Sequence, residues 1–555
     1  MRFLLILWSV ALWAQHPFPV QGSHGMVTSR STLASQAGVE IMKKGGNAID
    51  AAVATGFALA VTYPSAGNLG GGGFMVIHLA SGEVVTLDFR EVAPSAASRD
   101  MYLNEKGEAQ SQLSRKTHLS SGVPGSVDGL ISALEKYGTM PLKDVIAPAI
   151  RLAKDGFALP PDIAEQFAEL HEEMANYPGS KASFYKADGS NYQAGELWKQ
   201  ADLAQTLQAI ADKGRAGFYQ GPNAEHIVAE MKRGNGLISL EDLKNYKSKW
   251  RPAIHGTYRG LEIWSMPPPS SGGVLLINML NMLEPYDLKK AGFGSAELIH
   301  LMIEAERRAY ADRAYYLGDP DFVKIPVEEL TSKAYAKQRF SDFDAQKASI
   351  SQDIQYGQVH ESLETTHFSV MDEKGNAVAC TTTLNSGYGN KIVVQGAGFL
   401  LNNEMDDFSI KPFTPNSYGL VGEKANEIQP GKRMLSSMTP TIVTRDGKVY
   451  LVLGSPGGST IITTVFQVFL NCVEYDMNIA QAVAMPRFHH QWLPDRIIYE
   501  SFAISPDTLR ILEKMGHQSL TPTRWSLGDA NSIMVKDGLL FGATDPRNLS
   551  EPVGY

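Results

Sequence analysis

Cysteine is almost absent from this chain: 2 residues in 555. That allows at most one intramolecular disulfide and excludes a four-cysteine zinc site. Basic charge is not in excess either. Against 59 Asp+Glu stand 50 Lys+Arg, a net charge of -9, so the basic footprint of a nucleic-acid binder is missing. Beyond the N-terminus no stretch approaches the ~18 apolar residues of a membrane span. What remains is an ordinary globular composition, 43% hydrophobic and 20% charged, which excludes a disordered or fibrous protein. The length is several times a typical domain of about 100–200 residues, and composition alone leaves open one large unit or two.

At the N-terminus, Met1-Arg2 precedes FLLILWSVALWA, an apolar run of about a dozen residues, too short to cross a bilayer comfortably. It reads as a secretory signal, residues 1–14, with cleavage after Ala14, although Leu12 stands where a small residue is usual. The expectation is an exported bacterial protein, periplasmic or secreted, with no membrane span.

Residues 31–63 read as two helices: Leu33, Ala37 and Ile41 share a face, Gly45-Gly46 ends the first, and Asn47 caps the second. Residues 74–80 and 83–90 read as a hairpin in which Asp88 and Arg90 share the polar face. Residues 120–320 are mostly helical in pattern, with 296–317 a long amphipathic helix. Periodicity is then lost over 341–364, which reads as an exposed linker, and strongly alternating β-sequence follows at once. Two hairpins there take their register from their turns. A three-residue loop ending in a left-handed Gly375 sets Thr365 opposite Thr383 and puts both on one face with Asn385. A turn at Asp446-Gly447 brings Ser436 opposite Gly457, with Pro440 liable to disturb the pairing.

A threonine hydroxyl is a poor nucleophile without a base, and one solution is a threonine at a chain's N-terminus, where its own α-amine serves. That amine titrates near 8, whereas a lysine is mostly protonated at working pH. Glu364-Thr365-Thr366-His367 sits where a polar linker meets a strand, which suits a cut before Thr365. Gly457-Gly458-Ser459 precedes an apolar helix, so its backbone N–H groups are ready anion donors. Other features suggest less. Gly-Ser-Pro-Gly-Gly around Ser455 is not a serine-hydrolase elbow, Gly70–Gly73 lacks the Lys-Ser/Thr of a phosphate loop, and His489-His490 with His367 lacks metal spacing. Cys380, facing away from Thr383, reads as a buried free thiol.

Several segments in order resemble the gamma-glutamyltransferase family of N-terminal nucleophile hydrolases: NLGGGGFMV (68–76), DFREVAP (88–94), TTHFSVMDEKGNAVACTTTLN (365–385), LLNNEMDDFS (400–409), KRMLSSMTPTIV (432–443), GSPGGSTIITTV (454–465) and PRFHHQWLP (486–494). The resemblance covers nearly the whole mature chain. It implies an α+β fold, a four-layer αββα sandwich, and a precursor cut between Glu364 and Thr365 into a heterodimer, 15–364 with 365–555. By the same resemblance Thr365 is the nucleophile, Thr383 and Asn385 bond the nucleophile and the substrate's α-amino group, and Glu404 and Asp407 accept from that ammonium. Arg90, Ser436 and Ser437 would hold the α-carboxylate, Gly457 and Gly458 the oxyanion. Residues 412–427 match a lid with Tyr418 as its gate, which favours glutamyl compounds such as glutathione. The implied reaction passes the γ-glutamyl group through Thr365 to water, an amino acid or a peptide, with no cofactor and no metal. Two alternatives stay open: a cephalosporin or glutaryl acylase of the same fold, disfavoured because Arg90, Asp407 and the serine pair suit an amino-acid head group, and a non-catalytic exported binding protein, disfavoured because Thr365 and both glycines persist together.

Overall fold

Strand pairing here begins from turn chemistry. In the computed structural model, which describes residues 17–354, 364–410 and 424–555, Gly375 adopts φ +93° and closes the Glu364–Asp372/Ala377–Asn385 hairpin. His367 faces Thr381 and Phe368 faces Cys380, the register the turn predicts, with a bulge between Glu364 and Thr366. In the second hairpin, Thr441–Arg445 with Lys448–Leu453, the predicted pairs hold only at Arg445–Lys448 and Thr444–Val449. A one-residue shift follows, so Thr441 meets Leu453, and no ladder reaches Ser436, which bridges Ser270 instead. Proline at 440 has no N–H to carry the ladder on.

These hairpins sit inside two antiparallel seven-stranded sheets. Sheet I runs Val553–Gly554, Gly25–Thr28, Glu364–Asp372, Ala377–Asn385, Gly72–His78, Val84–Asp88, Lys249–Pro252. Sheet II runs Val20–Gly22, Leu539–Ala543, Ser532–Lys536, Lys448–Leu453, Thr441–Arg445, Leu261–Ser265, Ile254–Tyr258. Alternation along each strand separates three cores. Val76, Ala377 and Ala379 of sheet I pack on Ile442, Val452 and Ile533 of sheet II. Met75, Ile77, Val378 and Cys380 face the other way, onto the helices Thr32–Lys43 and Ala48–Thr62. Val443, Leu451 and Leu453 face the helices Gly272–Leu283, Ala296–Tyr316 and Thr460–Val473. The result is helix, sheet, sheet, helix: the expected four-layer sandwich. Both cysteines are buried and free, and burial pushes their thiols well above the ordinary range.

Three sequence readings need correction. Residues 249–265 are three strands rather than part of a helical stretch, because each is short and flanked by helices. Ala296–Tyr316 is buried on nearly every side, with Glu304, Arg307, Arg308 and Arg313 enclosed rather than displayed to water. Their charges are neutralised within the helix and by its neighbours: Arg308 Nη1 lies 2.6 Å from Glu304 and Arg307 Nη1 2.5 Å from Asp495. The described end of the 341–364 segment is not simply exposed. Ser351 and Ile354 are buried, and Trp492 Nε1 donates to both their carbonyls at 2.8 and 3.2 Å. The expected signal segment lies in 1–16, outside the described residues; no helix among the described residues is long and apolar enough to cross a membrane.

The Gly70–Gly73 run serves backbone packing. A Cβ at Gly71 would lie 2.0 Å from the Thr383 carbonyl oxygen, and one at Gly73 2.4 Å from that of Thr381. Glycine thus lets the Gly72–His78 strand close against the strand carrying Thr383.

Candidate active site

Thr365 stands at the bulged start of its strand, buried, its Oγ1 3.5 Å from Thr383 Oγ1. At the end of the partner strand Asn385 takes φ +78°, its N–H donating to Thr383 Oγ1 at 2.8 Å and its side-chain amide to the Asn403 carbonyl at 2.9 Å. Thr365 has a cavity on each side. The inner one, about 10 Å³, is lined by Arg90, Thr365, Thr383, Asn385, Glu404, Asp407, Ser436, Met438, Gly458 and Ile461. The outer one, about 270 Å³, contains Gly457, Arg30, Gln166, Trp525 and Asp529. Thr365 is the one described residue lining both.

Gly457 and Gly458 lead into the Thr460–Val473 helix at φ +130° and +56°, conformations that disfavour any side chain. The Gly457 carbonyl is turned into the helix, accepting from Thr460 N at 3.0 Å and Thr460 Oγ1 at 2.8 Å. Among the described residues neither glycine's N–H is engaged by another protein group. Donors at a helix N-terminus, beside a hydroxyl, can receive an oxygen that gains negative charge.

The inner cavity is a concentrated charge cluster. Arg90 Nη1 pairs with Glu404 and Nη2 with Asp407 at 2.5 Å, while Nε and Nη2 also donate to the Met434 and Leu435 carbonyls. Glu91 lies 3.7 Å from Nη1. One guanidinium therefore faces three buried carboxyls. Burial raises all three, with Arg90 opposing: Glu91 is pushed up to about 7, Glu404 well above the ordinary carboxylate range, and Asp407 upward as well. Glu404 Oε2 and Asp407 Oδ1 are buried and reached by no amide, hydroxyl or guanidinium donor among the described residues, and the raised Glu404 carboxyl leans on Asp407 instead. Asp88 is not the partner of Arg90's fork. Its carboxylate accepts from Arg90 N at 3.0 Å and pairs with Arg251 and Arg433, which fixes the strand end rather than the head of the arginine.

The NNEMDD run is a buried turn, Glu404–Asp407, rather than a solvated one. Asn402 Nδ2 ties it to the Gly70 and Gly122 carbonyls at 2.8 Å each. Ser436 lines the inner cavity, its carbonyl held by Ser271 N at 2.7 Å. Ser437 is buried without lining the cavity, and its Oγ has no partner among the described residues. Tyr418 and most of the expected lid lie in 411–423, outside the described residues; the following turn is tied down by Asn426 Nδ2 donating to the Asp407 carbonyl at 2.7 Å.

Sequence reasoning did not single out Glu91 or the wall of the outer cavity. Arg30 Nε lies 2.8 Å from Asp529, whose carboxyl burial pushes up to about 6. These residues come from segments far apart in the chain, and no local motif joins them. The histidines are engaged elsewhere: His367 with Thr381 and Ser369, His489 with Thr463 and Gln491, His490 with Asp495. His300, Glu304 and His517 cluster as metal ligands could, but His300 Nδ1 and His517 Nε2 are 2.7 Å apart, a hydrogen bond. Two nitrogens each about 2.0–2.1 Å from a tetrahedral zinc would stand farther apart. Glu304 is meanwhile committed to Arg307 and Arg308.

Comparison with known proteins agrees with this fold. The chain is 52% identical over 542 residues to the glutathione hydrolase proenzyme of Escherichia coli, covering 97% of this chain and 93% of that protein. Among solved structures, the gamma-glutamyltranspeptidase of Helicobacter pylori is 49% identical with TM-score 0.58, covering 60% of this chain and 95% of that chain. The cephalosporin acylase of Bacillus halodurans superposes with TM-score 0.86 at 25% identity, covering 100% and 99%. The sequence profile described as gamma-glutamyltranspeptidase matches residues 34–555. With a profile match over that span and a full-length relative at 52% identity, this chain belongs to the gamma-glutamyltranspeptidase family.

Proposed function

We propose that this protein is a self-processing γ-glutamyltransferase and glutathione hydrolase. The observation that carries the reading is the inner cavity beside Thr365: a buried guanidinium next to the carboxyl groups of Glu404 and Asp407 suits the carboxylate and ammonium of an α-amino acid. At about 10 Å³ that cavity has room for roughly one water, so a glutamyl head group enters only by displacing the internal pairing of Arg90. The incoming carboxylate then takes the arginine fork with Ser436 and, once its buried hydroxyl turns towards the cavity, Ser437, and the ammonium takes Glu404, Asp407 and Asn385.

Breaking the Glu364–Thr365 bond would free the α-amine of Thr365 as the base for its own hydroxyl. Oγ1 attacks the γ-carbonyl, and the oxyanion forms against the N–H groups of Gly457 and Gly458. The leaving amine takes the proton and departs through the outer cavity. Water or an acceptor amine then attacks the glutamyl ester and restores the threonine. Thr383, bonded to Oγ1, aims the hydroxyl. Tyr418, within the lid expected at 412–427, would be the gate of the glutamyl site. The processed protein is a heterodimer of 15–364 and 365–555, exported after loss of 1–14. Support for two chains comes from the E. coli relative, named a proenzyme, and from the H. pylori chain, matched almost whole by 60% of this one.

The near-complete superposition on a cephalosporin acylase favours a second reading, hydrolysis of a glutaryl amide. Glutaryl lacks the α-ammonium that Glu404 and Asp407 would bind. Paired assays with γ-glutamyl and glutaryl anilides decide: preference for the γ-glutamyl substrate by orders of magnitude is expected, and preference for the glutaryl one rejects the proposal.

A further inference from the structure

The segment that directly follows the two glycines proposed to stabilise the oxyanion is held by hydrogen bonds from outside its own helix. Tyr310 Oη, from the Ala296–Tyr316 helix, donates to the Ser459 carbonyl, the residue directly after Gly458. Ser459 Oγ donates to Gln491 Oε1 at 2.8 Å, and His489 Nε2 meets the same oxygen at 3.0 Å. His489 Nδ1 lies 2.8 Å from Thr463 Oγ1, on the first turn of the glycine-capped helix. The Tyr310 and His489 rings pack edge to face with centroids 5.6 Å apart. A second tie runs from the long helix: Glu306 Oε2 accepts from His490 N at 2.8 Å.

Donor and acceptor roles around this ring follow from the orientation of the Gln491 amide. Gln491 Nε2 donates to the Leu493 carbonyl at 3.3 Å, so its oxygen is the atom facing Ser459 and His489. An amide oxygen only accepts, so His489 Nε2 carries the proton and Nδ1 is the acceptor facing the Thr463 hydroxyl at 2.8 Å, whose one proton the Thr460 carbonyl also reaches for at 3.1 Å. Burial pushes His489 down to about 3, so the ring keeps this neutral form at working pH.

We propose that Gln491, with His489, Ser459 and Tyr310, is a positioning group that holds the Gly457 and Gly458 N–H groups in the direction the oxyanion requires. This rests on the transferase reading above. A donor contributes to catalysis by being aimed before charge develops, and glycine, the least restricted residue, cannot aim itself. Gln491 reaches Ser459 directly and Thr463 through His489, so one side chain ties the residue that follows Gly458 to the first turn of the helix behind it.

Gln491 is only half-buried, so its substitution is compatible with folding. Wild type, Gln491→Leu, Gln491→Glu and Ser459→Ala are compared on cut protein, counted by its Thr365 N-terminus, with a γ-glutamyl anilide. The expected result for Gln491→Leu and Ser459→Ala is kcat lower by about tenfold with KM within twofold. Gln491→Glu, which keeps an acceptor for both Ser459 and His489, stays within threefold of wild type. Inhibition by a γ-boronic acid analogue of glutamate, whose boron becomes tetrahedral on Thr365, weakens about tenfold in Gln491→Leu, while inhibition by L-glutamate does not change. A drop in melting temperature with kcat and boronate inhibition intact makes the ring merely structural and overturns the proposal. Wild-type turnover with equal kcat in Gln491→Leu overturns it alone; no wild-type turnover of γ-glutamyl anilide overturns it together with the transferase reading.

Discussion

The two cavities that meet at Thr365 differ in almost everything except that residue. The inner one is about 10 Å³, buried, and packed with one guanidinium and neighbouring carboxyls. The outer one is about 270 Å³ and borders the exposed Trp525. A buried charge cluster is stable only with matched partners, because an unpaired buried charge costs about 3–5 kcal/mol. The inner side can therefore exchange its internal ion pairs for one zwitterion and little else, while the outer side can admit amines of many shapes. On the proposed function, selectivity for the acyl group and tolerance for the amine would follow from that contrast.

The sharpest way to break the comparison is to remove the residue both cavities share. Thr365→Ala should give an uncut chain on a denaturing gel and no detectable γ-glutamyl transfer; normal cutting in this variant would show that another group supplies the nucleophile. Next in size, Arg90→Lys keeps the charge but loses the fork. Two charge-assisted bonds of about 1.5–3 kcal/mol each are altered, so kcat/KM for γ-glutamyl anilide should fall by roughly 100-fold or more. A loss below about fivefold would mean the inner cavity does not read the head group.

A smaller effect tests the charge cluster itself. Glu91 is raised from 4.5 to about 7, so the folded state holds that proton more tightly than the unfolded chain. Between those values the unfolded carboxyl ionises first, and its contribution to stability falls as pH rises, levelling above about 7. Urea unfolding at several pH values should show this slope reduced in Glu91→Gln; an unchanged slope would place its source elsewhere. The smallest effect belongs to the outer wall. Trp525→Ala should change relative rates among acceptor amines by less than about tenfold and leave donor KM unchanged. A shift in donor KM instead would blur the division between the cavities.

Legibility in the sequence followed the range of the interactions. The hairpin carrying Thr365 and Thr383 could be registered because one left-handed glycine fixes its turn, and the pairs from Met371–Ala377 to Thr366–Thr382 follow by counting; the bulge beyond them, which takes Thr365 and Thr383 out of the counted ladder, does not. Pairing from Asp446-Gly447 could not be extended to Ser436, because a bulge and Pro440 intervene and the partner of Ser436 is Ser270, 166 residues away. Arg90 could be placed on a polar strand face, but not its embrace by a turn more than 300 residues later. The buried charges of Ala296–Tyr316 looked like a wet face, since a helix neutralised from all sides has the same pattern as one facing water. The outer cavity gathers Arg30, Gln166 and Asp529 from three distant segments and left no local signal.

The central claim is that Thr365 becomes the first residue of a chain. N-terminal sequencing of the purified protein tests it most directly. The account predicts two chains, the smaller beginning Thr-Thr-His; a single intact chain that nevertheless turns over γ-glutamyl anilide, or a small chain beginning at any other residue, would contradict it.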